Sequence, residues 1–317
     1  MIHKSAVLSL SLLLATTGVM SLACDKSKDS SGAEAPATTP EDAEELAAMG
    51  HYAEAFNAMV AKPQECFKEY FKHIPKEGPE VGKRYRLFPR HTMAASGLST
   101  AKTQVDEANK KASDKLEHLE PLAKAALSDL EQAVSLYADV HKYYDSESYK
   151  DDQGSKGQEL HQKMLQLAES YRGHIDQLEA ALSEVERQQA QRELELYEKD
   201  KGYSYWFRAF NFEANQLLRA TEKDRYAKAF GELDKAYAGL KSFSDSKQGE
   251  LNTAFKAYLG QADRFHSTAV KTSRALNGSE PDEEAVANLQ GDLVDNYNNI
   301  VGVTNSLYQL EANQLLK

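Results

Sequence analysis

With only two cysteines in 317 residues, Cys24 and Cys66, the chain cannot carry a disulfide framework. It also lacks any sustained alternation of β-branched and polar residues, which removes the usual signature of a half-buried strand. Basic residues are in deficit, 38 against 49 acidic, for a net charge of −11. Such a surface opposes phosphate backbones, so nucleic acid is not an expected partner. There is no GxSxG elbow and no Walker loop; Gly154-Ser155-Lys156-Gly157 has neither the spacing nor a preceding strand. No HExxH or ExxH arrangement joins the histidines, and no repeat of fixed length marks a solenoid. The expectation is a protein that is not an enzyme and carries no cofactor.

What is present begins at the N-terminus. His3 and Lys4 precede a charge-free apolar run from Ala6 to Val19, a signal-peptide pattern. A membrane-spanning helix takes roughly 20 apolar residues, and this run is shorter. It ends in Ser21-Leu22-Ala23-Cys24, which resembles the lipobox of bacterial lipoproteins, where the thiol receives diacylglycerol and the chain is cut before it. Residues 1–23 are therefore read as a lipoprotein signal and Cys24 as the lipidated residue, so that the lipid membrane itself becomes a partner. Several acyl chains, at about 0.8 kcal/mol per CH₂, make such an anchor effectively permanent. An ordinary secretory signal leaving a free Cys24 is the other reading. Asp25 tends to hold enterobacterial lipoproteins in the inner membrane, and the choice between inner and outer membrane stays open.

Residues 25–40, DKSKDSSGAEAPATTP, contain no large apolar side chain and read as a flexible tether. A coil of that length holds a folded body roughly 20–25 Å from its anchor. The body, residues 41–317, is drawn as one all-α unit, an elongated antiparallel helical bundle with coiled-coil-like helices. Leu160, Met164, Leu167, Tyr171, Leu178 and Val185 follow a heptad, with His174 and Ala181 filling its other seam positions. A second series runs through Val105, Ala108, Ala112, Leu116 and Leu119, then Ala126, Leu130, Ala133, Tyr137 and Val140, with Pro121 set to kink or break it. A third carries Val286, Leu289, Leu293, Tyr297, Ile300, Leu307 and Leu310 after the turn at 277–281. Shorter helices are expected at about 42–61, 64–73, 204–220, 222–243 and 247–276. Adjacent acids such as Glu44 with Glu45 diverge on a helix and read as solvated. Cys66, in PQECFKEYF, reads as buried and inert, with an intermolecular disulfide as the sharper alternative.

Two stretches interrupt the helical pattern. One is Asn57 followed by Cys66-Phe67-Lys68-Glu69-Tyr70 and Lys76-Glu77-Gly78-Pro79-Glu80-Val81-Gly82-Lys83-Arg84. The other runs from Tyr143-Tyr144 through Tyr149, Asp151 and Asp152 to Ser155-Lys156-Gly157-Gln158-Glu159-Leu160-His161. Together they resemble the YiiG-like bacterial lipoproteins, a domain-of-unknown-function family, across roughly residues 45–315. The resemblance implies a lipoprotein with a helical body and brings no established activity. Asp151 and Asp152 stand before a helix, and Ser155 with Gln158 matches a capping box, so capping is the plain reading. The functional one is that Tyr143, Tyr144, Tyr149, Asp152 and His161 line a polar groove suited to sugars, amines or peptide ends. The run Tyr203-Ser204-Tyr205-Trp206-Phe207, with Phe210 and Phe212, cannot all face one core stripe, because successive helical residues point about 100° apart. Trp206 therefore joins the candidate ligand-binding residues. His51 and Glu54 share a helical face but supply only two metal ligands. Three functions are carried forward: a noncatalytic, lipid-anchored protein that binds an envelope protein partner or organises the envelope, a small-ligand binding module, and a metal-binding imelysin-like protein acting through His51 and Glu54.

Overall fold

In a computed structural model the protein is described over residues 40–61, 64–111, 113–220, 222–247, 251–278, 282–313 and 315–316. Cys24 and nearly all of the tether lie outside the described residues. The expected all-α class holds: the described residues form nine α-helices and two short 3₁₀ turns, and no strand. The helices are α1 (Pro40–Ala61), α2 (Glu65–His73), α3 (Arg90–Lys111), α4 (Leu119–Asp145), α5 (Ser155–Tyr197), α6 (Tyr203–Arg219), α7 (Lys223–Ser246), α8 (Thr253–Leu276) and α9 (Glu283–Ala312). None is long and apolar enough to cross a membrane.

The helices group into two compact units, residues 37–185 and residues 186–317. In the first, α1 lies along α3 and touches α4, while α2 packs on α3 and α4. Its core holds Tyr52, Met59, Tyr70, Ile74, Leu116, Leu130 and Tyr137, all essentially closed to solvent. Pro121 is the third residue of α4, in the first turn, where a missing amide leaves no helical hydrogen bond unmade. The chain breaks before it instead, at the 3₁₀ turn Asp114–Leu116. Glu45 is a correction to the solvated reading: Glu44 is exposed, but Glu45 is buried and its Oε2 accepts from Lys115 Nζ at 2.7 Å.

The seam of α5 is also shifted by one residue. Ile175 and Leu182 are buried, in place of His174 and Ala181, beside Leu160, Met164, Tyr171, Leu178 and Val185. The resulting spacing still alternates three and four, so the helical period alone does not separate the two registers. His174 instead points its Nδ1 at Asp129 Oδ2, 2.8 Å away.

In the second unit α6 meets α7, α7 meets α8, α8 meets α9, and α9 returns to α6. Short connections make successive helices antiparallel, and the ring closes a four-helix bundle. Asn252 caps α8 by accepting from the Ala254 amide at 2.8 Å, and Asp282 caps α9 by accepting from Glu284 and Ala285. The core is aromatic: Phe207, Phe210, Phe255, Tyr258 and Phe265 meet Leu217, Leu233, Leu240, Ile300 and Leu307. Phe210 alone has Tyr258, Phe265 and Tyr237 rings within about 6.3 Å.

Candidate functional site

Between α2 and α3, residues 74–89 contain no helix and no strand. A segment of that length has no ladder to satisfy its amides and carbonyls, so side chains must do it. They come from the tyrosine-acid stretch and the helices flanking it. His161, fully buried on α5, places Nε2 3.0 Å from the Lys76 carbonyl and Nδ1 3.0 Å from the Tyr70 hydroxyl. The carbonyl can only accept, so in the neutral ring Nε2–H donates to it and Nδ1 accepts from Tyr70. Gln158 Nε2 donates to the Pro79 carbonyl at 2.7 Å. Tyr85 Oη accepts from the Glu80 amide at 2.9 Å, and Tyr137 Oη donates to the Phe88 carbonyl at 2.7 Å. The Phe88 amide donates to Glu69 Oε1 at 3.3 Å, and Arg84 reaches Glu147 at 3.0 Å.

The two stretches that looked separate in sequence thus meet in space, with an aromatic cluster between them. Tyr144 takes the edges of Tyr85 and Tyr143, with ring centroids 5.2 and 5.0 Å away, and Tyr149 lies 5.9 Å off. Gly157 makes that packing possible. A Cβ there would stand 2.8 Å from the Tyr144 hydroxyl and 3.1 Å from Tyr143 Cε1. Gly78 turns the chain at φ +111°, a conformation L side chains rarely adopt, and its missing Cβ leaves room for Gln158 Oε1.

Asp152 caps α5. Its Oδ1 accepts from the Gly154 amide at 2.9 Å and the Tyr143 hydroxyl at 2.7 Å, and its Oδ2 from the Lys156 amide at 3.1 Å. The Tyr143 hydrogen bond, helped by the two amides, holds its carboxyl below the usual range. Burial, then the bond to Asp152, pushes the Tyr143 phenol up to about 12, so at neutral pH it stays a protonated donor. The Ser155–Gln158 capping box is replaced: Gln158 holds Pro79, and Asp152 does the capping.

The candidate residues therefore converge, but on one another. Tyr143, Tyr144, Tyr149 and His161 are all buried, and Tyr143, Asp152 and His161 hydrogen-bond to groups of this same chain. Sequence reasoning missed Tyr70, Tyr85, Tyr137 and Gln158 as members of the cluster. The signal available for them was the length of the irregular segment, which demands hydrogen-bonding side chains from elsewhere.

Trp206 is not part of this cluster. It lies on α6, half-buried, with Tyr205 edge-on at 5.0 Å. Two residues further along α6, Arg208 was not singled out by sequence either. It is buried and forks onto Glu311 with 3.1 and 2.7 Å bonds, with its guanidinium 4.4, 4.6 and 4.8 Å from the Tyr197, Phe207 and Tyr308 ring centres. Burial works against its charge, yet Tyr308, Glu311 and Tyr197 hold its pKa above the ordinary value. His51 Nδ1 faces Gln104 Oε1 at 2.6 Å and its Nε2 lies 3.4 Å from Lys111, while Glu54 is exposed. Among the described residues no three His, Cys, Asp or Glu side chains assemble as a metal-ligand set. Cys66 is free and fully buried, and burial, with Glu65 nearby, pushes its thiol up to about 12.

Set beside known proteins, residues 43–302 match the family described as "Protein of unknown function (DUF3829)". The chain is 25% identical over 245 residues to "Uncharacterized protein YiiG" of Escherichia coli (strain K12), covering 74% of this chain and 67% of that protein. No solved structure matches it.

Proposed function

The chain belongs to the DUF3829 family of proteins of unknown function, and from that premise we propose that it is a noncatalytic binding protein of the cell envelope, held on the periplasmic side of a membrane by acyl chains on Cys24. The observation that carries the reading is how the family-like stretches use their polar groups. His161, Gln158, Tyr85 and Tyr137 bond to backbone groups of residues 74–89, and Tyr70 bonds to His161. A reaction centre needs at least one group held ready for a substrate, whereas these bonds build a scaffold. The anchor reading rests on the lipobox-like Leu22-Ala23-Cys24 and the polar tether after it.

Mass spectrometry of the mature N-terminus tests the anchor. A diacylglyceryl mass on Cys24, and release of the protein from the membrane pellet by Cys24→Ala, are the expected results; an unmodified thiol on a soluble chain overturns it. Cross-linking in cells tests the binding role, with recovery of one reproducible envelope partner expected and only random neighbours counting against it.

A further inference from the structure

The last turns of α5, together with α6 and α7, enclose a groove of about 360 Å³ within the second unit. That volume falls at the small end of ligand-binding clefts. Trp206 and Tyr205 form its aromatic wall, and Glu195, Glu198, Glu213 and Glu232 surround them. Among the described residues the one basic side chain lining it is Lys235, already paired with Glu232 at 2.8 Å, while Lys201, outside the lining, lies 5.1 Å from the Tyr205 ring centre and leaves the Trp206 face to the groove.

Trp206 is fixed in place by what lies behind it. A Cβ on Gly239 would stand 2.1 Å from the indole Cζ3 and 2.3 Å from Cη2, so the six-membered ring rests directly on the α7 backbone. Tyr205 meets the indole edge-on at 84°. The ring is thereby held as a rigid plate, half-buried, with its remaining surface toward the groove. Glu213, also half-buried, makes no hydrogen bond or ion pair among the described residues. Burial, and then repulsion from Glu232, raises its pKa above the ordinary carboxylate value. Lys235, already paired with Glu232, offsets that repulsion only in part.

From this geometry we infer that the groove binds a small organic cation of the protonated-amine or quaternary-ammonium class, its charge over the Trp206 ring and beside Glu213. An aromatic plate attracts a cation through its quadrupole, and most strongly when the plate is an indole. The surrounding carboxylates select against anions, and no three of them assemble as a metal-ligand set among the described residues, which disfavours a bare metal ion. The inference deepens the binding role proposed above by naming a ligand chemistry for it.

The chain's single tryptophan makes the test direct, because its emission reads this groove alone. The full mature chain is titrated with spermidine and with tetraethylammonium, against sodium chloride at matched ionic strength. A saturable change in Trp206 emission with at least one organic cation, absent with sodium chloride, is expected. Glu213→Gln should weaken binding about tenfold, the scale of one desolvated charge contact. Trp206→Leu, read by calorimetry, should weaken it by a similar factor, with the helical circular dichroism of both variants unchanged. Acidification toward the raised Glu213 pKa should weaken binding in the unsubstituted chain more than in the Gln variant, where only Glu195, Glu198 and Glu232 still titrate. No saturable change with either cation, a change equally produced by sodium chloride, or binding indifferent to both substitutions overturns the inference. A chain that is acylated at Cys24 yet ignores both cations leaves the envelope reading standing and removes the groove, whereas an unacylated chain that binds them does the reverse.

Discussion

Residues 37–185 and residues 186–317 are both helical, but different forces define them. In the first, a long irregular segment is fastened by side chains that donate to its carbonyls or accept from its amides, each bond worth about 0.5–1.5 kcal/mol net. In the second, four helices close on an aromatic core with a buried guanidinium near it, and little backbone lies outside a helix. The first is specified by particular residues at particular positions. The second is specified by a pattern of apolar spacing that many side chains could fill. Substitutions that remove apolar mass should therefore hurt the second unit most, and, the buried Arg208 ion pair aside, substitutions that remove single neutral polar contacts should hurt the first.

The largest effect is expected at Phe210, which has no exposed surface and touches three rings. Phe210→Ala should cost about 3–5 kcal/mol, the usual range for opening a cavity of that size. Thermal unfolding followed by Trp206 emission measures it, and a loss below about 1 kcal/mol would break the contrast. Next comes Arg208→Ala, which strands Glu311 and the nearby Glu193 without their cation and should cost about 3 kcal/mol. The double variant Arg208→Met with Glu311→Leu should recover most of that loss, because an apolar pair can replace a buried ion pair. Failure of the double variant to recover would mean that the ion pair, and not merely its burial, organises this end of the bundle.

In the first unit the matching test is His161→Ala. It leaves the Tyr70 hydroxyl and the Lys76 carbonyl without partners and should cost about 2 kcal/mol. Hydrogen exchange should quicken over residues 74–89 while residues 203–219 keep their protection. Gly78→Ala should cost about 1 kcal/mol through its left-handed φ, with a Cβ 2.7 Å from Gln158 Oε1 that the flexible amide can yield to. An unchanged melting temperature for Gly78→Ala would show that the turn adapts.

The same division explains what the sequence disclosed. Long apolar series located α4, α5 and α9 and the buried faces of Leu130, Leu178 and Ile300, because helical periodicity is a local property. The register of α5 was less legible: Ile175 beside His174 and Leu182 beside Ala181 differ by one position, and only the neighbouring helices decide between them. Capping by Asp152 was readable from its place before a helix, but its bond to Tyr143 spans nine residues and belongs to tertiary structure. The contacts of Gln158 with Pro79 and His161 with Lys76 join positions some eighty residues apart, and no local rule pairs them. Arg208 carried no sequence signal either, since a basic residue among aromatics reads equally as a solvated one.

The smallest expected effect separates the two units by sign. Glu186 and Glu193, on the final part of α5, have pKa values raised by burial, with Arg219 and Arg208 pulling the other way. Their folded forms hold protons more tightly than an unfolded chain does. Stability contributed by these groups therefore rises as pH falls through their raised values and levels off below the ordinary 4.5. Asp152 behaves oppositely. Its folded pKa lies below the ordinary 3.8, so its contribution is intact above that value and is lost as pH falls through the depressed one. Between neutral pH and about 4.5 these groups leave α5's capping intact while strengthening the second unit; only below 3.8 does the cap at Asp152 give way. Trp206-detected melting followed down this range, with exchange at the amides of Gly154 and Lys156 measured alongside, reads the two responses separately. If those amides loosened first, near pH 5, Asp152 would not be the group that holds the start of α5, and the contrast between a unit built on placed polar contacts and one built on apolar spacing would lose its best-defined contact.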